Sequence, residues 1–367
     1  EHVTKQYGEF KAVDDLCLTV EKGQICILIG PSGCGKTTTL KMINRLVEAT
    51  SGVIRIDGQD ILSIDPIELR RQIGYVIQEV GLFPHLTAAQ NIALVPFLKK
   101  WPEKKRRERA EELLELVGLP PDVYRDRYPH ELSGGQQQRV GVARALAADP
   151  AIILMDEPFG ALDPITRTQL QDELLRLQDE LHKTIVFVTH DIDEALKLGT
   201  MIAVMRAGKV LQYDTPERLL KNPADPYVEE FVGRDRLWRR PEYLKVEDVM
   251  VRNPVTIGQH RTPGQALGAM KQYKVNTLLV TSREGRLLGI IRGRDLQRHV
   301  ERECTMEEIM SSDYATVTIG TGVTEVLALM AERDLELVPV VDEAGKLCGL
   351  VTRSSLVNVF AERLFSS

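Results

Sequence analysis

The stretch GPSGCGKTT at 30–38 carries the residue types and the spacing to hold a polyphosphate. It fits G-x-x-x-x-G-K-[ST] and stands between the apolar run QICILIG (24–30) and the helix-forming TTLKMINRL (38–46), the setting that pattern requires. Gly30, Gly33 and Gly35 let the backbone curl until its N–H groups face phosphate oxygens, with a helix N-terminus behind them. Gly30, Pro31, Ser32, Gly33, Cys34, Gly35, Lys36, Thr37 and Thr38 are therefore candidate nucleotide-binding residues. Lys36 would supply charge to the β and γ phosphates, and Thr37 a hydroxyl to Mg²⁺. A second apolar run, AIILMDE (151–157), ends in two acids. Asp156 stands where a carboxylate can hold Mg²⁺, directly or through water. Glu157 follows it, where a carboxylate can orient or deprotonate an attacking water. His190 closes TIVFVTH (184–190) and Gln78 follows IGYVI (73–77). Polar residues ending several apolar runs in one domain are hard to assign to solvation, because open α/β sheets gather ligands at their strand C-termini. The combination reads as a nucleoside-triphosphate hydrolase.

The elements that must position these residues are legible in outline. Buried runs at 24–30, 151–157, 184–190 and 201–208 alternate with amphipathic stretches, which predicts an α/β fold with a parallel sheet under helical cover. KKWPEKKRRERAEELLELV (99–117) is a charged amphipathic helix and, with the chain to about 147, suggests a helical insertion. Inside it ELSGGQQQRV (131–140) opens a helix on Ser133, Gly134, Gly135 and Gln136, and Ser133 with Gln136 reads as a capping box. RDRLWRRPEYLK (234–245) is charged and broken by Pro241, which suits a linker. Beyond it lies an internal repeat: VEDVM (246–250) answers MEEIM (306–310), and LLVTSREGRLLGIIRGRDL (278–296) answers VPVVDEAGKLCGLVTRSSL (338–356). Each unit reads β-α-β-β-α and is too small to bury a core alone, so the two are expected to pack together. The expected domains are 1–233, a linker 234–245, and repeats 246–303 and 304–360.

Bulk composition bounds the partners. Of 367 residues, 43% are hydrophobic and 27% charged, an ordinary globular balance, and the net charge of −6 gives no reason to expect a nucleic-acid polymer. The five cysteines contain no C-x-x-C pair and read as reduced thiols. No apolar run approaches the roughly 18–20 residues that span a bilayer, and no signal peptide is evident, so a membrane role is expected to fall to partners. The chain begins at Glu1, part-way into an expected strand, which points to residues ahead of it.

In order, these motifs resemble the ATP-binding subunit of ABC transporters over about 230 residues: GPSGCGKTT, a Q-loop at Gln78, the signature LSGGQ (132–136), ILMDE, a D-loop at Asp163 and a switch histidine at His190. The resemblance implies a P-loop NTPase with a helical subdomain and ATP and Mg²⁺ as cofactors. It implies catalytic roles for Glu157, His190 and Gln78, and Mg²⁺ held by Thr37, Gln78 and Asp156. It also implies ATP contacts from Tyr7, Ser133, Gly134, Gly135, Gln136 and Asp163, the signature residues meeting the γ-phosphate of a second copy. The tail resembles a tandem pair of CBS domains, and the whole is similar to bacterial glycine betaine, carnitine and choline uptake ATPases. That implies integral-membrane permease subunits, an extracellular solute-binding protein acting indirectly, and a place on the cytoplasmic face of the membrane. An importer of another small solute with a purely structural tail is the alternative. A DNA-repair ATPase would need a long coiled coil or a basic surface, and composition offers neither.

CBS pairs often bind adenine nucleotides through a Thr or Ser and an Asp on G-h-h-[ST]-x-x-D. Here GIIRGRDL keeps Asp295 but has Arg292 at the hydroxyl position, and GLVTRSSL keeps Thr352 but has Ser355 at the acid position. If GRDLQRHVER is helical, Arg294, Arg298 and Arg302 fall four apart on one face, a repulsive arrangement that an anionic partner would relieve. Lipid headgroups and cyclic di-AMP both fit that expectation.

Overall fold

Strand β3 (Ile25–Ile29) is apolar at every position, and all five residues are buried. Such a run needs cover on both faces, as in a parallel sheet flanked by helices. In the computed structural model, which describes residues 1–77, 81–160, 162–233, 236–299 and 302–365, that cover is present. Alternate residues serve different cores: Ile25, Ile27 and Ile29 face one cluster with Ile153, Phe187 and Val204. Cys26 and Leu28 face the other with Leu154, Val186 and Met205.

The chain divides into two compact units, 1–232 and 233–367. In the first, strands β1 (Val3–Tyr7) and β2 (Phe10–Leu16) form an antiparallel hairpin, as do the short β4 (Arg55–Ile56) and β5 (Gln59–Asp60). The main sheet joins β3, β6 (Ile73–Val76), β7 (Ile152–Asp156), β8 (Thr184–Thr189), β9 (Met201–Arg206) and β10 (Lys209–Asp214) in the order β10-β9-β3-β8-β7-β6. All neighbours are parallel except β10, which returns antiparallel on β9. The C-terminal ends of β3, β7 and β8 therefore fall on one edge, which carries the phosphate loop, Glu157 and His190. Helices Glu103–Leu116 and Gly134–Leu146 belong to the insertion expected from sequence.

The second unit holds the repeats. Strands β11 (Thr256–Gly258), β12 (Thr277–Thr281) and β13 (Leu287–Arg292) form one sheet; β14 (Val317–Thr318), β15 (Leu337–Val341) and β16 (Leu347–Thr352) form its twin. Both have a parallel and then an antiparallel neighbour. The repeats are mutually dependent, because their leading segments exchange cores. Val246 and Val249 pack with Val326, Val338 and Val340 of the second repeat, whereas Met306 packs with Ile257, Leu278 and Ile291 of the first. Backbone bonds follow the same two-fold logic: Val251 N–H to Leu350 O at 2.8 Å matches Ser311 N–H to Ile290 O at 2.8 Å. Leu244, at the end of the stretch read as a linker, is fully buried in the second repeat's core.

One expectation fails. The helix after β13 spans only Gly293–Gln297, so Arg294, Arg298 and Arg302 do not form a stripe on one helix. His299 ends it: its ring Nδ1 lies 2.9 Å from the Asp295 carbonyl, where the next helical N–H would bond, and its own N–H turns to Leu296 O at 3.0 Å. Among the described residues no helix is long and apolar enough to cross a membrane.

Candidate functional site

The phosphate loop is built around two glycines whose neighbours leave no room for a side chain. A Cβ at Gly30 would lie 2.2 Å from Met205 O, and one at Gly35 2.4 Å from Ala12 O; φ is +155° and +105° at these positions. Gly35 precedes the helix Lys36–Ile43 in the left-handed region. Lys36 is 6% exposed, and its ammonium donates to Gly30 O at 2.8 Å and Pro31 O at 3.1 Å, which aims its charge along the inside of the loop. Cys34 is buried beside it, with Sγ 3.9 Å from the same ammonium. Ser32 and Gly33 are exposed on the rim. Tyr7 is half exposed at the end of β1, with Lys5 Nζ 4.8 Å over its ring. Its hairpin packs on the loop through Ala12.

Thr37 opens the same helix and donates its hydroxyl to Asp156 Oδ1 at 2.9 Å. Asp156 is 6% exposed, and burial pushes its carboxyl above the usual range while the Thr37 bond opposes the shift. A buried carboxylate beside a hydroxyl, both hard oxygens, is a donor set that fits Mg²⁺. Glu157 follows at φ 45°, a left-handed conformation that turns its side chain out of the strand direction. Its N–H is anchored to Val188 O on β8 at 3.0 Å. The turn brings Oε2 to 3.1 Å from His190 Nδ1, so two of the three residues expected to be catalytic meet across neighbouring strand ends. Gln78 lies outside the described residues.

The glycine-rich helix start has its own geometry. Ser133 Oγ accepts from Gln136 N–H at 3.3 Å, and Gln136 Oε1 accepts from Ser133 N–H at 2.9 Å, completing the expected capping box. Of the four N-terminal donors that a helix leaves without intrahelical partners, the box satisfies those of Ser133 and Gln136. Gly134 and Gly135 supply the other two. A Cβ at Gly134 would meet nothing within 4 Å, whereas one at Gly135 would press on Thr166 Cγ2 at 2.8 Å. Asp163 caps the helix Pro164–Leu181, accepting from Ile165 and Thr166 N–H; a bond from the Thr166 side chain first, and these backbone bonds with it, hold its carboxyl below the usual range.

Sequence reasoning missed what the glutamines do individually. Gln136 also donates to the Tyr124 hydroxyl at 3.2 Å, Gln137 to Pro129 O at 2.9 Å, and the 2% exposed Gln138 to Pro158 O, the residue after Glu157. The last ties the glycine-opened helix to the loop bearing Glu157. An unusual run of amides was its only signal in the sequence.

In the second unit, a cleft of about 550 Å³ is lined by Arg292, Arg294, Asn276 and Tyr314 together with Asp313, Asp334 and Glu336. It gathers Arg292 and Arg294 but not Asp295, Arg298, Thr352 or Ser355. Thr352 and Ser355 instead bond each other reciprocally, Oγ1 accepting from Ser355 N–H at 2.9 Å and Oγ from Thr352 N–H at 3.0 Å, at the start of the helix Arg353–Phe365.

Comparison with known proteins agrees with this layout. Residues 13–160 match the ABC transporter family, and 246–302 and 306–362 each match the CBS domain. The chain is 52% identical to the glycine betaine/carnitine/choline transport ATP-binding protein OpuCA of Bacillus subtilis (strain 168), covering 100% of this chain and 96% of that protein. It is 43% identical to the osmoprotectant import ATP-binding protein OsmV of Salmonella typhimurium, covering 98% of this chain and 94% of that protein. Among solved structures, the dimeric post-hydrolysis state of the ATP-binding cassette MJ0796 bound to ADP and Pi aligns with a TM-score of 0.54 and 38% identity, over 59% of this chain and 97% of that one. The chain belongs to the ATP-binding proteins of osmoprotectant-type ABC transporters that carry a tandem pair of CBS domains.

Proposed function

We propose that two copies of this chain hydrolyse ATP at shared sites to drive uptake of a glycine betaine-, carnitine- or choline-like quaternary amine through integral-membrane permease subunits at the cytoplasmic face of the membrane. The observation that carries this reading is the convergence, on one sheet edge, of Lys36, the Thr37–Asp156 pair and the Glu157–His190 pair. Lys36 and the loop N–H groups bind the triphosphate. Thr37 and Asp156, with Gln78, would hold Mg²⁺, which neutralises phosphate charge when bound. Glu157, 3.1 Å from His190, takes the proton of the attacking water, and His190 steadies that carboxylate and senses the γ-phosphate. Ser133, Gly134, Gly135 and Gln136 address the phosphate held by the second copy, with Asp163 on the same interface and Tyr7 stacked on adenine. An extracellular solute-binding protein acts indirectly, through the permease.

The tail is read as a regulatory sensor. Its cleft pairs guanidinium groups, suited to phosphate, with carboxylates suited to hydroxyl or amino groups, a combination that fits cyclic di-AMP better than a lipid headgroup. Co-purification with the permease subunits, followed by ATPase measurement with and without each quaternary amine, tests the transport reading; turnover indifferent to all of them would remove it. Calorimetric titration of the full chain with cyclic di-AMP tests the nucleotide version of the sensor reading, and absence of heat would remove that version.

A further inference from the structure

Arg167 sits one turn into the helix Pro164–Leu181 and joins two segments of the catalytic edge between which no backbone bond is found among the described residues. Its Nη2 donates to Leu162 O at 3.2 Å, beside Asp163. Its Nη1 lies 3.8 Å from Asp191 Oδ2, on the residue directly after His190. The other Asp191 oxygen accepts from Asp193 and Glu194 N–H at 2.9 and 3.2 Å, so this carboxylate also fixes the start of the helix Ile192–Leu198. One guanidinium thus bridges the Asp163 segment, by a hydrogen bond, and the turn that presents His190 to Glu157, by an ion pair.

Stability alone does not account for this arrangement. The side chains of Arg167 and Asp191 are 33% and 38% exposed, and ion pairs that open to water contribute little to stability. Among the described residues no acceptor meets the buried Arg167 Nε, which costs stability. The geometry gains position: a planar fork holds a carbonyl and a carboxylate in a fixed relation that a flexible ammonium reproduces only in part.

We propose that Arg167 is a positioning residue for hydrolysis, fixing the spacing between the Leu162–Asp163 segment and the His190–Asp191 turn so that movement of the first reaches the Glu157–His190 pair. The inference rests on the roles assigned above to Glu157 and His190.

The test compares R167M, R167K, D191N and R167M/D191N in the purified full-length chain, with E157Q as control, by ATP kinetics and thermal melting. D191N is informative because asparagine caps a helix as well as aspartate but offers no charge to Arg167. R167M should lower kcat roughly 3- to 30-fold, the range of a single coupling contact, with KM for ATP and the melting temperature nearly unchanged. D191N should match it, the double variant should be no worse than either single one, and R167K should recover part of kcat. Unchanged kcat in R167M, multiplying losses in the double variant, or a loss that tracks the melting temperature would each overturn the proposal. Near-normal turnover of E157Q would instead remove the catalytic reading itself, and the inference with it.

Discussion

Replacing Gly134 with alanine separates what the glycine-rich helix start does for its own chain from the role proposed for it toward a second copy. Locally the change should help. Gly134 is exposed at the first helical position, and an added Cβ meets no atom within 4 Å. Alanine in place of glycine in a helix gains about 0.5–1 kcal/mol, less where the first turn frays. At roughly 2–4 °C per kcal/mol for a domain of this size, the melting temperature should hold or rise by about 1–3 °C. The capping box is untouched, since its partners are Ser133 and Gln136. Function should move the other way. If the Gly134 and Gly135 N–H groups close on a phosphate of the second copy, a methyl group on that face holds the anion off by more than about 1 Å. Misplacement on that scale costs on the order of 100-fold in rate. The assay is steady-state ATPase of the full-length chain beside a melt of the same preparation, with Gly135 left alone because its Cβ would press on Thr166. Turnover within twofold of the parent, at unchanged stability, would refute the idea that this face is reserved for a phosphate.

Glu157→Gln should keep ATP binding, lower turnover at least about 100-fold for want of a proton acceptor, and trap an ATP-bound dimer visible by size-exclusion chromatography. A variant that turns over and stays monomeric with ATP would deny Glu157 the role of base. Thr37→Ala deletes the hydroxyl bonded to Asp156 and should raise the Mg²⁺ concentration for half-maximal turnover roughly tenfold, with metal-free ATP affinity little changed. An unchanged Mg²⁺ titration would exclude Thr37 as a ligand. Glu194 is 7% exposed, and burial raises its carboxyl above the ordinary range against the hydrogen bonds from Thr189 and Gln171. Folding therefore favours its protonated form, a contribution that is full below the ordinary value of 4.5 and lost as pH rises through the higher folded value. Glu194→Gln keeps an acceptor for Gln171, so its melting temperature should exceed the parent's near neutral pH and the gap should close toward pH 4.5; a gap independent of pH would contradict this.

The placement of the candidate site residues on one sheet edge was legible because its logic is local. A buried parallel strand writes itself as an unbroken apolar run, and the residue that ends the run is delivered to the ligand edge whatever the helices between do. Asp156, Glu157 and His190 could be placed by that rule, and Lys36 and Thr37 by the glycine-rich phosphate-loop pattern that follows β3. The capping box is equally local, since its partners are three residues apart. What stayed hidden depends on partners far along the chain. The left-handed turn at Glu157 is pinned by Val188 on the neighbouring strand, and the task of Gln138 is set by Pro158 twenty residues away. The arginine stripe failed for a different reason: periodicity carried the helix past 297, but the His299 ring takes the carbonyl that would have continued it.

In the tail, repeated sequence does not mean repeated surface chemistry. Bonds across the pair recur at a spacing of 60 residues, so Arg292 and Arg294 occupy positions equivalent to Thr352 and Ser354. The first pair lines the cleft, whereas Thr352 is spent with Ser355 on capping a helix. One of the cleft's carboxylates, Asp334, is in turn held by Arg353 at 2.7 Å, next to that same Thr352. The second repeat therefore supplies structure where the first supplies cations. Each repeat's leading segment is buried in the other's core, so the two share one packing problem. The shared fold constrains both halves, and the asymmetry lies in the few side chains that the fold does not need.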